Sequence, residues 1–184
     1  MLQCSKNKFK KHEELETISI GYRFKRIATD EKDIVLSIFS NINLISVTIQ
    51  NMANTGVIIG RRPLPSAFPN LEKLKLTLWY SLSDQGLVEI LNRSGSNLRE
   101  LDLSRSRISG VGVNSLPNLE VLNLYFCYML TDGGLKEFLR LSGCTLRVLD
   151  VSCCTRITGQ GVKEEVSLPM LEELDMRGCE QLTD

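Results

Sequence analysis

The sequence predicts an α/β solenoid, one coil of repeating strand-and-return units, and three observations predict it. The spacing L-x-x-L-x-L recurs seven times, starting at Leu15, Leu44, Leu71, Leu98, Leu119, Leu146 and Leu171, with only apolar residues at the three key positions. The starts lie 29, 27, 27, 21, 27 and 25 residues apart, at or near lengths over which one supersecondary unit stacks on the next. Within each unit the last two apolar positions alternate with polar ones, the pattern of a short strand with one buried face. Successive strands then pair in parallel, and each pairing needs a crossover that the rest of the unit must supply.

The crossovers differ from unit to unit. In repeat 1, Thr29-Asp30 precedes Ile34, Val35, Ile38 and Phe39, a capped amphipathic helix. In repeat 2 the return carries Pro63, Pro65 and Pro69, which remove amide donors and favour an irregular connection. Repeat 3 has Ser83-Asp84 before Leu87, Ile90 and Leu91, and repeat 5 has Thr131-Asp132 before Leu135, Phe138 and Leu139. In both, a hydroxyl or carboxylate can cap the helix start and apolar residues at i, i+3, i+4 pack inward. Repeat 4 spans 21 residues and holds Gly110, Gly112 and Pro117, which leaves room for little more than a turn. Gly86, Gly134 and Gly161 fall in the first turn after the cap, where close packing of the return on its neighbour accounts for them.

Cys127, Cys154 and Cys179 stand eight residues after the first Leu of repeats 5, 6 and 7, each followed by an apolar residue and a Thr: Cys127-x-x-Leu130-Thr131-Asp132, Cys154-x-x-Ile157-Thr158 and Cys179-x-x-Leu182-Thr183-Asp184. Repeat 3 keeps Leu82-Ser83-Asp84 with Trp79 at the Cys position. This pattern resembles the cysteine-containing leucine-rich repeat, over residues from about Leu15 onward and most clearly from Leu71. The resemblance implies a leucine-rich-repeat solenoid, a right-handed β-α superhelix forming a ribonuclease-inhibitor-like horseshoe segment with parallel inner strands. It further implies kinship with the repeat arrays of F-box substrate receptors in SCF ubiquitin ligases and with repeat-only proteins of that superfamily. In those receptors the repeats hold the substrate while an F-box recruits adaptor and cullin. No F-box is recognisable, since residues 1–14 are too few and Leu64-Pro65, Leu116-Pro117 and Leu168-Pro169 lie inside repeats, so adaptor and cullin are expected only through an F-box outside this chain.

The array is expected to run over residues 15–184 as about six full repeats and one truncated, with 1–14 as a lead-in or the tail of a preceding repeat. Both ends read as cut from a longer array, because solenoids need polar caps. The chain of 184 residues holds 22 basic and 22 acidic side chains, which gives no overall field to draw nucleic acid. The charge is uneven: residues 1–80 carry 12 Lys/Arg and 7 Asp/Glu, a balance of plus five, and residues 81–184 carry 10 and 15, minus five. No apolar run is long enough to span a membrane and no secretory signal is visible, so a cytosolic or nuclear setting with reduced thiols is expected.

Catalysis finds little support. The one histidine, His12, precedes the first repeat among Lys and Glu, and no phosphate loop or hydrolase triad pattern is visible. The cysteines recur at the repeat length and not at the two-to-four-residue spacing of a zinc knuckle, so no metal and no cofactor is expected and buried packing explains them better. Cys153, next to Cys154, is expected to point outward and to be the only reactive thiol. What remains is the concave strand face, reading Lys73 and Lys75, Glu100 and Asp102, Asn123 and Tyr125, Asp150, then Glu173 and Asp175. Asp102, Asp150 and Asp175 share a column with Asn123 between the first two, and adjacent carboxylates about 4.8 Å apart repel unless something screens them. The column is therefore expected to be a docking strip for a basic protein segment, with Tyr125 and Phe126 as aromatic anchors.

Overall fold

The computed structural model describes residues 17–21, 46–50, 70–160 and 166–182. Seven strands form one sheet in chain order: β1 (Thr17–Gly21), β2 (Ser46–Gln50), β3 (Lys73–Thr77), β4 (Glu100–Asp102), β5 (Val121–Asn123), β6 (Val148–Asp150) and β7 (Glu173–Asp175). Every neighbouring pair is parallel, in a register that puts Ile18, Val47, Leu74, Leu101, Leu122, Leu149 and Leu174 in one row. That row is the middle apolar position of the repeat. A slip of one residue would turn each strand's apolar set to solvent, so seven matched patterns specify the stacking.

Two helices, α1 (Asp84–Ser94) and α2 (Asp132–Ser142), form the described part of the outer wall. Both begin as the sequence predicts: Ser83 Oγ accepts from the Gly86 amide and Thr131 Oγ1 from the Gly134 amide, each at 3.1 Å. Both bury their i, i+3, i+4 residues, and both end on a buried serine, Ser94 or Ser142, whose hydroxyl donates back to a carbonyl four residues earlier. The return of repeat 4 contains no helix, as its length and glycines require. The expected helix of repeat 1, the proline-rich return of repeat 2, Gly161, and the lead-in over 1–14 lie outside the described residues.

The core is the space between strands and returns. Leu74, Leu76, Leu101, Leu103, Leu122 and Leu124 are fully buried, as are Trp79, Phe138 and the first leucines of repeats 3, 5 and 6. Burial falls at the last rung, where Leu174 is 48% exposed and Met176 38%, since β7 is the outermost strand of the described sheet. Among the described residues no helix is long and apolar enough to cross a membrane.

Neighbouring returns are tied by side chains that alternate along the array. Asp84 accepts from the Ser109 amide (2.8 Å), the Ser109 hydroxyl (2.8 Å) and the Gly110 amide (3.0 Å). Asp132 accepts in the same way from the Thr158 amide and hydroxyl. The Asp thus sits in repeats 3 and 5, while repeats 4 and 6 carry Gly110 and Gly159 at that position, both at positive φ. The residue after each first Leu alternates too, as Glu72, Arg99, Glu120, Arg147 and Glu172. Arg99 pairs with Glu120, and Arg147 with Glu172 at 2.7 Å. Exposed pairs of this kind add little stability, about 0 to 1 kcal/mol each; their weight is in matching one repeat to the next.

Candidate protein-binding face

The cysteine column is part of the frame on which this face is built. Cys127, Cys154 and Cys179 are buried, and each thiol donates to a carbonyl of the preceding repeat, those of Leu103, Leu124 and Val151, at 3.1 Å in all three cases. The carbonyl lies where the chain leaves the strand, and a small side chain with one weak donor satisfies it without opening a void. Ser106 holds this position in repeat 4 and bonds instead to Leu103 O at 2.6 Å. Burial pushes the Cys127 thiol from 9.0 up to about 11 and the Cys154 thiol to about 12, which keeps both protonated and poor nucleophiles.

Cys153 is only half-buried, in keeping with its outward position, but Cys144 at the end of the α2 return is exposed. Cys153 is therefore not the most accessible thiol among the described residues, contrary to what the sequence led us to expect. Cys144 falls in a helix-terminal turn with no repeat-position signal. We expect a thiol reagent to modify Cys144 ahead of Cys153 in the native protein, and the three column cysteines only on unfolding. The folded state holds protons that the unfolded chain releases, so this contribution is fully present below about pH 9 and is lost as pH rises towards 11 to 12. Melting temperatures that stay level from pH 7 to 11 would contradict that assignment.

The carboxylate column has a different role from the one its charges suggest. Asp102, Asn123, Asp150 and Asp175 each accept, through one side-chain oxygen, the amide two residues on, at Ser104 (3.0 Å), Tyr125 (2.9 Å), Ser152 (2.9 Å) and Arg177 (3.0 Å). These are Asx turns, and they end the strands: β4 to β7 have three residues, whereas β1 to β3, with Ser19, Thr48 or Lys75 in the column, have five. Asp150 also accepts from the Ser152 hydroxyl at 2.5 Å and Asp175 takes the Arg177 guanidinium at 2.6 Å, which holds the Asp175 carboxyl down at about 2. The repulsion expected along this column is relieved by local donors, so it does not call for a basic partner.

The remaining concave residues divide into two groups. Lys75 (2.5 Å) and Lys73 (3.3 Å) both reach Glu100. The Lys75 ammonium beside it is the main cause of the lowered Glu100 carboxyl and outweighs the opposing effect of burial. Val121 and Val148 are half-buried between these charges and exposed Glu173. Tyr125 and Phe126 lie beyond the shortened β5, so Phe126 is not on the concave face. It belongs to a ridge where the chain turns from strand to return.

That ridge has a regular backbone. Leu78, Arg105, Phe126, Cys153 and Gly178 all adopt positive φ, between 56° and 71°. The first four donate their amides to the carbonyls of Ser104, Tyr125, Ser152 and Arg177 in the next rung, at 2.8 to 3.0 Å. A side chain in this left-handed conformation costs about 1 to 2 kcal/mol relative to glycine. Residue identity alone does not reveal the column, because only Gly178 carries the usual signal. Arg105 lies over the Tyr125 ring at 5.3 Å and Arg107 over Tyr128 at 5.8 Å. Phe126, 46% exposed, sits between Tyr125 (6.0 Å) and Tyr128 (6.5 Å). Among the described residues no group of three or more His, Cys, Asp and Glu gathers to hold a metal.

Comparison with known proteins agrees with this geometry. Residues 97–119 match a family model described as Leucine Rich Repeat, and residues 143–164 match a second, described as Leucine Rich repeat. No curated protein matches the chain. The two matched segments are repeat 4 with its short return and most of repeat 6, from the turn before it through β6 and past Cys153-Cys154.

Proposed function

We propose that this leucine-rich-repeat chain is the substrate-recognition part of an SCF-type ubiquitin ligase, holding a protein destined for proteasomal degradation in the cytoplasm or nucleus. Leucine-rich repeats are in general non-catalytic scaffolds that bind protein, and the finer reading rests on one observation. The thiols of Cys127, Cys154 and Cys179 repeat a single hydrogen bond to the preceding rung, and each is followed by the apolar-Thr step of the cysteine-containing repeat. That subtype resembles the substrate-holding arrays of F-box proteins. The concave face, with Lys73 and Lys75 on β3, Glu100 on β4, Val121 and Val148 on β5 and β6 and Glu173 on β7, presents polar and apolar groups side by side, as protein interfaces do. Affinity purification of the full-length gene product is expected to bring down the adaptor and cullin scaffold. Their absence, with repeat-binding proteins still captured, would identify a repeat-only scaffold or inhibitor instead.

A further inference from the structure

The arginines of this array are not used alike. Among the described residues Arg99, Arg140, Arg147 and Arg177 each pair with a carboxylate. Arg105 and Arg107 do not. Arg105 lies against the Tyr125 ring and Arg107 against Tyr128, whose hydroxyl accepts from the Arg107 Nε. A guanidinium held beside an aromatic ring keeps its charge and further N–H groups for a carboxylate. Arg156, exposed on the loop two rungs along, pairs with no carboxylate among the described residues either.

The aromatic residues beside them are equally unspent. Phe126 and Tyr80 are 46% and 39% exposed, and Phe126, like Arg105, occupies a backbone conformation that favours glycine. The same φ recurs at this rung position in Leu78, Cys153 and Gly178, so it belongs to the repeat; what sets Arg105 and Phe126 apart is a charge without a carboxylate partner and an exposed ring, neither of which the core uses. Arg105 and Phe126 occupy equivalent positions of adjacent rungs, a step of about 4.8 Å. A cation held by a ring and an exposed ring at that separation match a carboxylate and a neighbouring apolar side chain on one extended segment.

We propose that the ridge formed by Arg105, Arg107, Phe126 and Tyr128 is a second docking site, which binds an acidic, extended protein segment carrying an apolar residue beside its carboxylates. A nucleic acid fits less well, because its binding needs many phosphate contacts from Lys and Arg, whereas this ridge offers two arginines and the chain has no net charge. This inference rests on the reading of the array as a protein binder and adds the chemistry of what it binds.

The conformational argument supplies a direct test. Arg105→Gly and Phe126→Gly put glycine where the backbone favours it, so both variants should melt at or above the temperature of the unmodified protein. Binding is read by fluorescence anisotropy with a short labelled peptide of Asp and Glu around a Leu pair, against its Lys-for-acid twin and an oligothymidylate. The acidic peptide should bind, its basic twin should not, and each glycine variant should weaken binding by at least about tenfold, the scale of a hot-spot loss. Lys136→Glu on the convex side should leave it unchanged. No binding by the unmodified protein, or equal binding by both glycine variants, would overturn the site. Oligothymidylate competing as well as the peptide would replace it with plain charge attraction. Co-purification of adaptor and cullin with full-length Arg105→Gly keeps the ligase reading standing whatever the peptide does. Its failure with the unmodified protein removes that reading and leaves the peptide result intact.

Discussion

Replacing Gly134 with alanine is expected to destabilise the array by roughly 3 kcal/mol, at the upper end of what overpacking costs, although alanine is the better helix former by about 1 kcal/mol. A Cβ at this position would lie 1.9 Å from the Ser109 carbonyl oxygen and 2.8 Å from the Gly110 Cα. Neither neighbour can yield easily. Ser109 O accepts from the Thr131 amide, the Ser109 amide and hydroxyl are held by Asp84, and Gly110 has φ +84° with no room for a side chain of its own. The contrast lies one residue away: a Cβ on Gly133 meets only Thr131 Oγ1, at 4.0 Å, so Gly133→Ala should stabilise α2 by about 0.5 to 1 kcal/mol. Urea unfolding of the two variants should move in opposite directions. Equal stability of Gly134→Ala and the unmodified protein would mean that the α2 start does not rest on the repeat 4 turn.

Leu122→Ala should cost about 2 to 5 kcal/mol. Leu122 is fully buried on β5 and stands in register between Leu101 and Leu149, so no free edge lets the site collapse. Stability in a stacked array is close to a sum over units and their interfaces. A cavity at mid-array therefore weakens the coupling between the repeats on either side, and unfolding should broaden as well as shift. The equivalent change at the last rung, Leu174→Ala, removes a side chain already 48% exposed and should cost well under half as much. Denaturation profiles of the two variants with the same midpoint would contradict this gradient.

The strands, their parallel register and the helices of repeats 3 and 5 were legible because each depends on a periodic apolar pattern and a capping residue that neighbouring positions reinforce. The site was less legible. Asp102, Asp150 and Asp175 read as a charged strip because spacing alone does not tell a carboxylate that faces a partner from one that closes a turn on its own backbone. The same residues do carry a usable signal: where the column holds Asp or Asn the strand is short, and where it holds Ser, Thr or Lys it is long. The ridge was hidden for the opposite reason. Arg105 and Phe126 are not residues that announce positive φ, and Phe126 was grouped with Tyr125 on the concave face because a strand was assumed to continue past Asn123. Cys144 escaped notice because its exposure follows from the end of α2, which no repeat position predicts.

The alternation of the returns has a consequence for how this array can be inherited. Deleting repeat 4 alone would bring Glu72 beside Glu120 and set the Asp84 clamp against a repeat that carries Asp132 where a glycine is needed. Deleting repeats 4 and 5 together would set Glu72 beside Arg147 and Asp84 opposite Thr158 and Gly159, the arrangement Asp132 already has. The module that can be duplicated or lost without a mismatch is thus a pair of repeats, one with Glu after its first Leu and the Asp clamp and one with Arg and the glycine, and even steps in repeat number are the changes that recombination among such genes could keep.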